Sequence, residues 1–371
     1  MSTTTTVTST QLASSNLEVL EALKANTLTV TANKEEAPFY ILPDTLCIWP
    51  YERIISPYYR AAQAESVAWL ESFHPFTPTG QKAFNKCDFS LVSALTFPKA
   101  SHEVLRGCCD LMHTFFTLDE HTDPLPTDQV IVHCEATMDA ILHPDKPRPE
   151  GEPIIGEIAR QFWKRASAHA HQATKERFVK AWRSYLDSVI LQAQRRDKGR
   201  YICTIDEYMV SRRDNIGSDP SFAFLEMSLE LDIPHYVMEH PHIVALNRDT
   251  TDMIVLANDM CSYKKEILVD DADYNAVTVV MQQNKTDVAG GIQWISDTHD
   301  DVVDHFLKLR DEVLSKQGFP SFGEDLDRQI EAYVHGLGQW IRGHDEWNFG
   351  SGRYFGDEGL EIQKTRKVVM A

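Results

Sequence analysis

The chain has 371 residues, 43% hydrophobic and 25% charged, a balance that suits a globular protein with a sizeable core. A formal net charge of −19 with no basic block to offset it argues against nucleic-acid binding. It leaves room for an anionic small substrate, because a metal or a local Arg/Lys cluster can invert the field within one pocket.

The 7 cysteines, Cys47, Cys87, Cys108, Cys109, Cys134, Cys203 and Cys261, are scattered and form no CxxC. They suit reduced core thiols and a cytoplasmic location. No apolar run reaches the length of about 18 residues that a membrane span needs. The Thr/Ser-rich N-terminus lacks the basic and apolar regions of a secretory signal.

Residues 1–36 read as a flexible tail, with a short helix around Leu17 to Ala25. From Phe39 to Tyr59, three prolines (Pro43, Pro50, Pro57) punctuate an aromatic-rich strap that needs a helical body to cover it. A helix is predicted from about Tyr58 to Phe73. Others are predicted at about 79–85, 87–96, 101–118, 126–142, 152–169, 172–194, 204–210, 220–231, 234–239, 241–264, 272–283, 286–315 and 322–343. Convincing alternating strands and internal repeats are absent. The expected fold class is all-α. With no Pro/Gly/Ser-rich linker after the first few dozen residues, residues 37–358 form one domain and 359–371 a C-terminal tail.

Two polar constellations interrupt this apolar periodicity. Leu105, Cys108, Leu111, Met112, Phe115 and Phe116 share a helix face, and Asp119 and Asp123 continue it at four-residue steps. A buried face that ends in two acids is costly unless a cation sits there, although acidic helix ends are commonly solvated. In the second, Ile254, Asn258, Ser262 and Glu266 recur every fourth residue, so Asn, Ser and Glu make one oxygen ladder. Those are hard donors of the kind magnesium prefers. A solvent-facing stripe is the plainer reading, but the apolar Met253 to Ala257 just upstream implies a buried helix. Lys265, beside Glu266, could serve a bound anion.

The basic sites are Arg212-Arg213, before a break at Gly217 and Pro220, and Ser351-Gly352-Arg353-Tyr354, after a helix bearing Trp340 and Trp347. Singly, each reads as structural. Together with the oxygen sets and an aromatic-rich helical body, they fit metal-assisted ionisation of an organic diphosphate in an apolar cavity.

At this point the chain resembles the class I terpene synthases, most closely the sesquiterpene synthases of mushroom-forming fungi, from about Phe39 to Phe355. Asp119-Glu120-His121-Thr122-Asp123 is similar to the aspartate-rich D(D/E)xxD motif. Asn258-Asp259-xx-Ser262-xxx-Glu266 is similar to NDxxSxxxE, with Lys265 before its Glu. Arg353-Tyr354 resembles the C-terminal RY pair. Arg212 lies 46 positions before Asn258, where the family's diphosphate-sensing arginine tends to be, with Arg213 as the fallback. The stretch Phe84-Asn85-Lys86-Cys87-Asp88-Phe89 also looks familial. No DxDD protonation motif is evident.

The resemblance implies an α-helical bundle around a central apolar cavity, and a lyase that ionises farnesyl diphosphate and cyclises the cation to a sesquiterpene hydrocarbon or alcohol. It implies three Mg²⁺ ions, for which Mn²⁺ can substitute, held by Asp119 and Asp123 on one side and Asn258, Ser262 and Glu266 on the other. Glu120 and Asp259 would orient neighbours. Arg212, Lys265, Arg353 and Tyr354 would complement the metals. Candidates for the cavity wall are Phe89, Phe115, Phe116 and Trp340, and segments near Asp123 and Arg353 would close over the substrate. No nucleic-acid partner is implied, and a homodimer is left open.

Three rival readings share features of the chain. A chain-elongating prenyltransferase would need a second DDxxD-type motif where the Asn/Ser/Glu ladder stands. A di-iron oxygenase would need two inward Glu-x-x-His pairs, for which Glu71/His74 and Glu239/His242 have the spacing. A non-catalytic helical scaffold would leave the acids solvated.

Overall fold

The computed structural model describes residues 37–199 and 202–370. The tail at 1–36 and the helix expected near Leu17 lie outside the described residues. Helices α1 (Tyr59–Glu71), α2 (Pro78–Lys86) and α3 (Phe89–Thr96) lead into the long α4 (His102–Thr122). Then come α5 (Thr127–Leu142), α6 (Ile154–Ala166), α7 (Gln172–Asp197), α8 (Ile205–Asn215) and α9 (Ser218–Ser228). The single-turn α10 (His235–Met238) precedes α11 (Pro241–Leu268), α12 (Ala276–Asn284), α13 (Val288–Ser315), α14 (Glu324–Gly350) and α15 (Gly359–Thr365).

Local chemistry explains where several of these begin. Thr77 caps α2, with Pro78 in its first turn, and the Ser101 hydroxyl accepts the Val104 N–H to start α4. Thr204 and Glu207 form a reciprocal capping box on α8. Every residue of α3 is buried, so this helix is an inner element. It packs against α14 across Gly343, where an added Cβ would lie 2.6 Å from the Leu95 carbonyl carbon. Without a side chain there, the two helices can approach closely.

The strap lies across the helical body. Trp49 Nε1 donates to the Gly338 carbonyl at 3.0 Å and its ring packs on Phe306, while the Tyr51 hydroxyl meets His335 Nδ1 at 3.0 Å. Its first residues depart from the strand-free expectation. β1 (Phe39–Ile41) pairs antiparallel with β2 (Lys367–Val369), with Tyr40 opposite Val368. Residues 359–370 of the predicted tail fold back as α15 and β2, and Ile362 and Val368 are buried. A three-residue strand has no period to read, and its partner lies at the other end of the chain.

Two helix ends differ from the prediction in ways that shape the site. α4 runs through Asp119 to Thr122, and α14 runs to Gly350, which brings Trp347 onto the face that carries Trp340. No described helix is long and apolar enough to cross a membrane.

Candidate active site

The inner faces of α4, α7, α11 and α14, with the α8–α9 break, enclose a cavity of about 750 Å³. That is within the roughly 300–1,000 Å³ usual for small-molecule sites. Its apolar wall includes Met112, Phe115, Phe116, Ile254, Trp340 and Trp347, and its polar mouth collects nearly every residue that the motifs single out.

On α4, Asp119, Glu120 and Asp123 reach the mouth. The Asp119 and Asp123 side chains are 40% and 49% exposed, which leaves their oxygens accessible from the cavity side. Enclosure in the mouth raises both carboxyls above the usual range, and Asp119 adds to the effect on Asp123.

Across the mouth, α11 presents Asn258, Ser262 and Glu266. Burial, then the neighbouring Asp259, pushes Glu266 up to about 7. Asn275, fully buried at the start of α12, donates its amide to Glu266 Oε2 at 2.9 Å and to Ser262 Oγ at 3.3 Å. Asp259 turns away from the cavity and accepts from the Tyr208 hydroxyl, the Ala276 N–H and Arg212.

Cations link the two sides. Arg353 Nη1 donates to Glu120 Oε1 at 3.0 Å, and its Nη2 lies 3.9 Å from Asp119 Oδ2. The guanidinium also sits 5.2 Å from the centroid of the Phe116 ring. The next residue, Tyr354, accepts the Asn258 amide at 2.7 Å and so keeps its own O–H as a donor. One dipeptide thus ties the acidic end of α4 to the α11 ladder.

Arg212 Nη2 donates to Asn258 Oδ1 at 3.0 Å. Burial opposes its charge, but Asp259, 3.4 Å from Nη2, favours it, and it stays cationic. Lys265 shares the mouth, where burial and then Arg353 lower its pKa.

Two predicted contacts belong elsewhere. Arg213 is committed to Asp252 through bonds of 2.7 and 2.9 Å and does not line the cavity, because one residue rotates the side chain about 100° around α8. Phe89 lies behind the wall, stacked on Phe116 at 3.8 Å as part of the all-buried α3. Its upstream stretch has a fastening role. The carbonyls of Cys87 and Asp88 accept the Trp347 indole N–H, and the Lys86 carbonyl accepts the Gly352 N–H at 3.0 Å. These bonds hold the segment that carries Arg353. The di-iron pairs do not assemble inward: the exposed Glu71 accepts from Asn85, and His242 pairs with Glu312.

The sequence reading missed Asn275, Arg196, Tyr185 and His344. Arg196 donates to the Thr122 carbonyl at 3.1 Å and lies 3.8 Å from Asp123, and Tyr185 meets Phe115 edge-on at 4.8 Å. His344 had a usable signal, four residues after Trp340 and three before Trp347. Asn275 had none, since it reaches Glu266 only after the chain turns back.

The donor chemistry fits a hard divalent cation. Desolvation and then neighbouring acids raise the pKa of Asp123 and Glu266, and the other donors on α11 are amide and hydroxyl oxygens. No described cluster of three His, Cys, Asp or Glu side chains encloses an ion by itself. Donors divided between two sides need a further oxygen ligand, such as a diphosphate, to complete them.

Known proteins agree with this architecture. The family model "Terpene synthase family 2, C-terminal metal binding" matches residues 110–305. A Delta(6)-protoilludene synthase of Stereum hirsutum is 43% identical over 330 residues, covering 89% of this chain and 87% of that protein. Sesquiterpene synthase 14 of Postia placenta is 42% identical over 327 residues, covering 88% and 91%. Among solved structures, α-eudesmol synthase superposes with a TM-score of 0.75 at 20% identity, covering 82% of this chain and 98% of that one. Germacradien-4-ol synthase from Streptomyces citricolor gives a TM-score of 0.70 at 20% identity, covering 81% and 96%. With a family match over more than half its length and close relatives over most of it, the chain belongs to the terpene synthase family.

Proposed function

We propose that this protein is a magnesium-dependent sesquiterpene synthase, which ionises farnesyl diphosphate and cyclises the resulting cation to a C15 hydrocarbon or alcohol. The observation that carries the reading is the juxtaposition of two oxygen-donor sets, Asp119/Asp123 and Asn258/Ser262/Glu266, at the mouth of one aromatic-walled cavity. The names of the relatives support the C15 substrate, and Delta(6)-protoilludene is the first reference compound for the product.

Asp119 with Asp123 would hold Mg²⁺ on one side and Asn258, Ser262 and Glu266 on the other, three ions in all. When bound, the ions neutralise charge developing on the leaving diphosphate. Arg212, Lys265 and Arg353 supply fixed positive charge to the same oxygens, and Tyr354 supplies a hydrogen bond. One unit-charge pair at 4 Å amounts to about 4 kcal/mol at an effective dielectric near 20, so several together lower an ionisation barrier materially. Phe115, Phe116, Trp340 and Trp347 exclude water and present π faces to the cation.

A thermal-shift experiment with Mg²⁺ and inorganic diphosphate tests the clamp. The pair together should raise the melting temperature by several degrees, and neither should do so alone. No shift with both would favour a non-catalytic scaffold.

A further inference from the structure

The apolar part of the cavity contains one basic group that the ionisation chemistry does not use, His344. It lies on α14 with Trp340 and Trp347, four residues after one and three before the other, and all three line the cavity. The centroid of its ring is 6.1 Å from that of Trp340 and 6.2 Å from that of Trp347. α14 runs toward the mouth, so at about 1.5 Å per residue His344 sits roughly 4–5 Å deeper than Trp347. That depth suits the hydrocarbon part of a substrate whose diphosphate stays at the mouth.

Its neighbours leave its nitrogens uncommitted. His344 is 6% exposed, its ring pairs with those of Trp340 and Trp347, and it makes no hydrogen bond to any described residue. Burial, with Arg212 adding to the effect, holds the imidazole down to about 3, so it is neutral at physiological pH. Other polar groups nearby are poorer acceptors. Ser221, whose O–H donates to the Gly217 carbonyl at 2.9 Å, and Tyr185, whose phenol stays protonated in its burial, offer only neutral hydroxyl oxygens, far weaker bases than an imidazole.

We propose that His344 is a catalytic proton acceptor that ends the carbocation sequence, an inference that rests on the synthase reading above. A C–H bond next to the cationic carbon breaks, and its electron pair becomes the new carbon–carbon double bond. The proton bonds to an imidazole nitrogen. Burial and Arg212 disfavour the imidazolium, so it returns its proton to solvent when the mouth opens for product release.

The test uses wild type, His344→Phe and His344→Ala with farnesyl diphosphate and Mg²⁺, measuring diphosphate release and product profile in parallel. Diphosphate release should stay within about threefold of wild type, while the share of the native alkene falls about tenfold in both variants in favour of other alkenes or alcohols. Added imidazole should restore the native alkene in His344→Ala, where there is space for it, and not in His344→Phe. A wild-type profile in either variant would overturn the proposal, because the imidazole nitrogen would then be dispensable. A changed profile in His344→Ala that imidazole leaves unmoved would also overturn it, because His344 would then act by shape alone. Failure of wild type to consume farnesyl diphosphate would instead sink the synthase reading.

Discussion

Asn258 and Glu266 are separated by two turns of α11, and each reaches the mouth with a single oxygen-bearing group. Replacing either by alanine should reduce turnover of farnesyl diphosphate by about 100-fold or more, with the helical circular-dichroism signal kept. Full turnover by either variant at ordinary magnesium would count against the assignment. Asn275 acts one step removed, by orienting Ser262 and Glu266. Asn275→Ala should raise the magnesium needed for half-maximal activity about 10- to 100-fold, which a metal titration would read directly. Phe115→Ala should change the product mixture more than the rate of diphosphate release, because Phe115 forms wall and not clamp.

How much of the site could be read from the sequence follows from these positions. Asn258, Ser262 and Glu266 share one helix face, so their spacing alone brings them together. Arg212 and Arg213 are adjacent, and only the rotation of α8 decides that the first faces the cavity and the second faces Asp252. Phe89 fits an apolar pattern equally well as wall or as backing, and packing against Phe116 makes it backing.

At the scale of elements, the break between α8 and α9 positions Arg212 against the aromatic wall. Gly217 adopts φ +75°, and an added Cβ would lie 3.2 Å from the Phe115 ring. Gly217→Ala should therefore cost about 1–3 kcal/mol, from the strained backbone and the crowding of Phe115, measured by urea unfolding. An unchanged midpoint would show that the break tolerates a side chain. The existence of these helices was legible because apolar residues recur at three and four. Their ends were less so: α4 runs past its apolar stripe through the acidic motif that the site uses, and α14 runs on to Gly350 with Trp347 and Phe349 buried. The β1–β2 pair was illegible for a different reason, since its register depends on contacts between opposite ends of the chain.

For the whole molecule, burial of neutral groups sets a pH dependence. His299 is 1% exposed, its Nδ1 has no partner, and burial lowers it to about 4. The unfolded chain takes up that proton near pH 6.5 and the folded chain does not, so stability is complete above about pH 6.5 and falls toward pH 4. The slope from one such group approaches about 1.4 kcal/mol per pH unit. His299→Met should remove one proton's worth of that slope in urea unfolding between about pH 4.5 and 7. Equal slopes for variant and wild type would contradict the assignment.

The cavity, the divided oxygen donors and the cations between them converge on one chemistry, ionisation of an isoprenoid diphosphate followed by cyclisation. The elongating prenyltransferases would place a second aspartate-rich motif where α11 carries Asn258, Ser262 and Glu266. The most direct measurement is gas chromatography–mass spectrometry of the headspace over protein incubated with farnesyl diphosphate, isopentenyl diphosphate and Mg²⁺. A volatile C15 hydrocarbon or alcohol that disappears when the metal is chelated is the predicted result. A longer prenyl diphosphate with no volatile product, or no turnover at all, would contradict it.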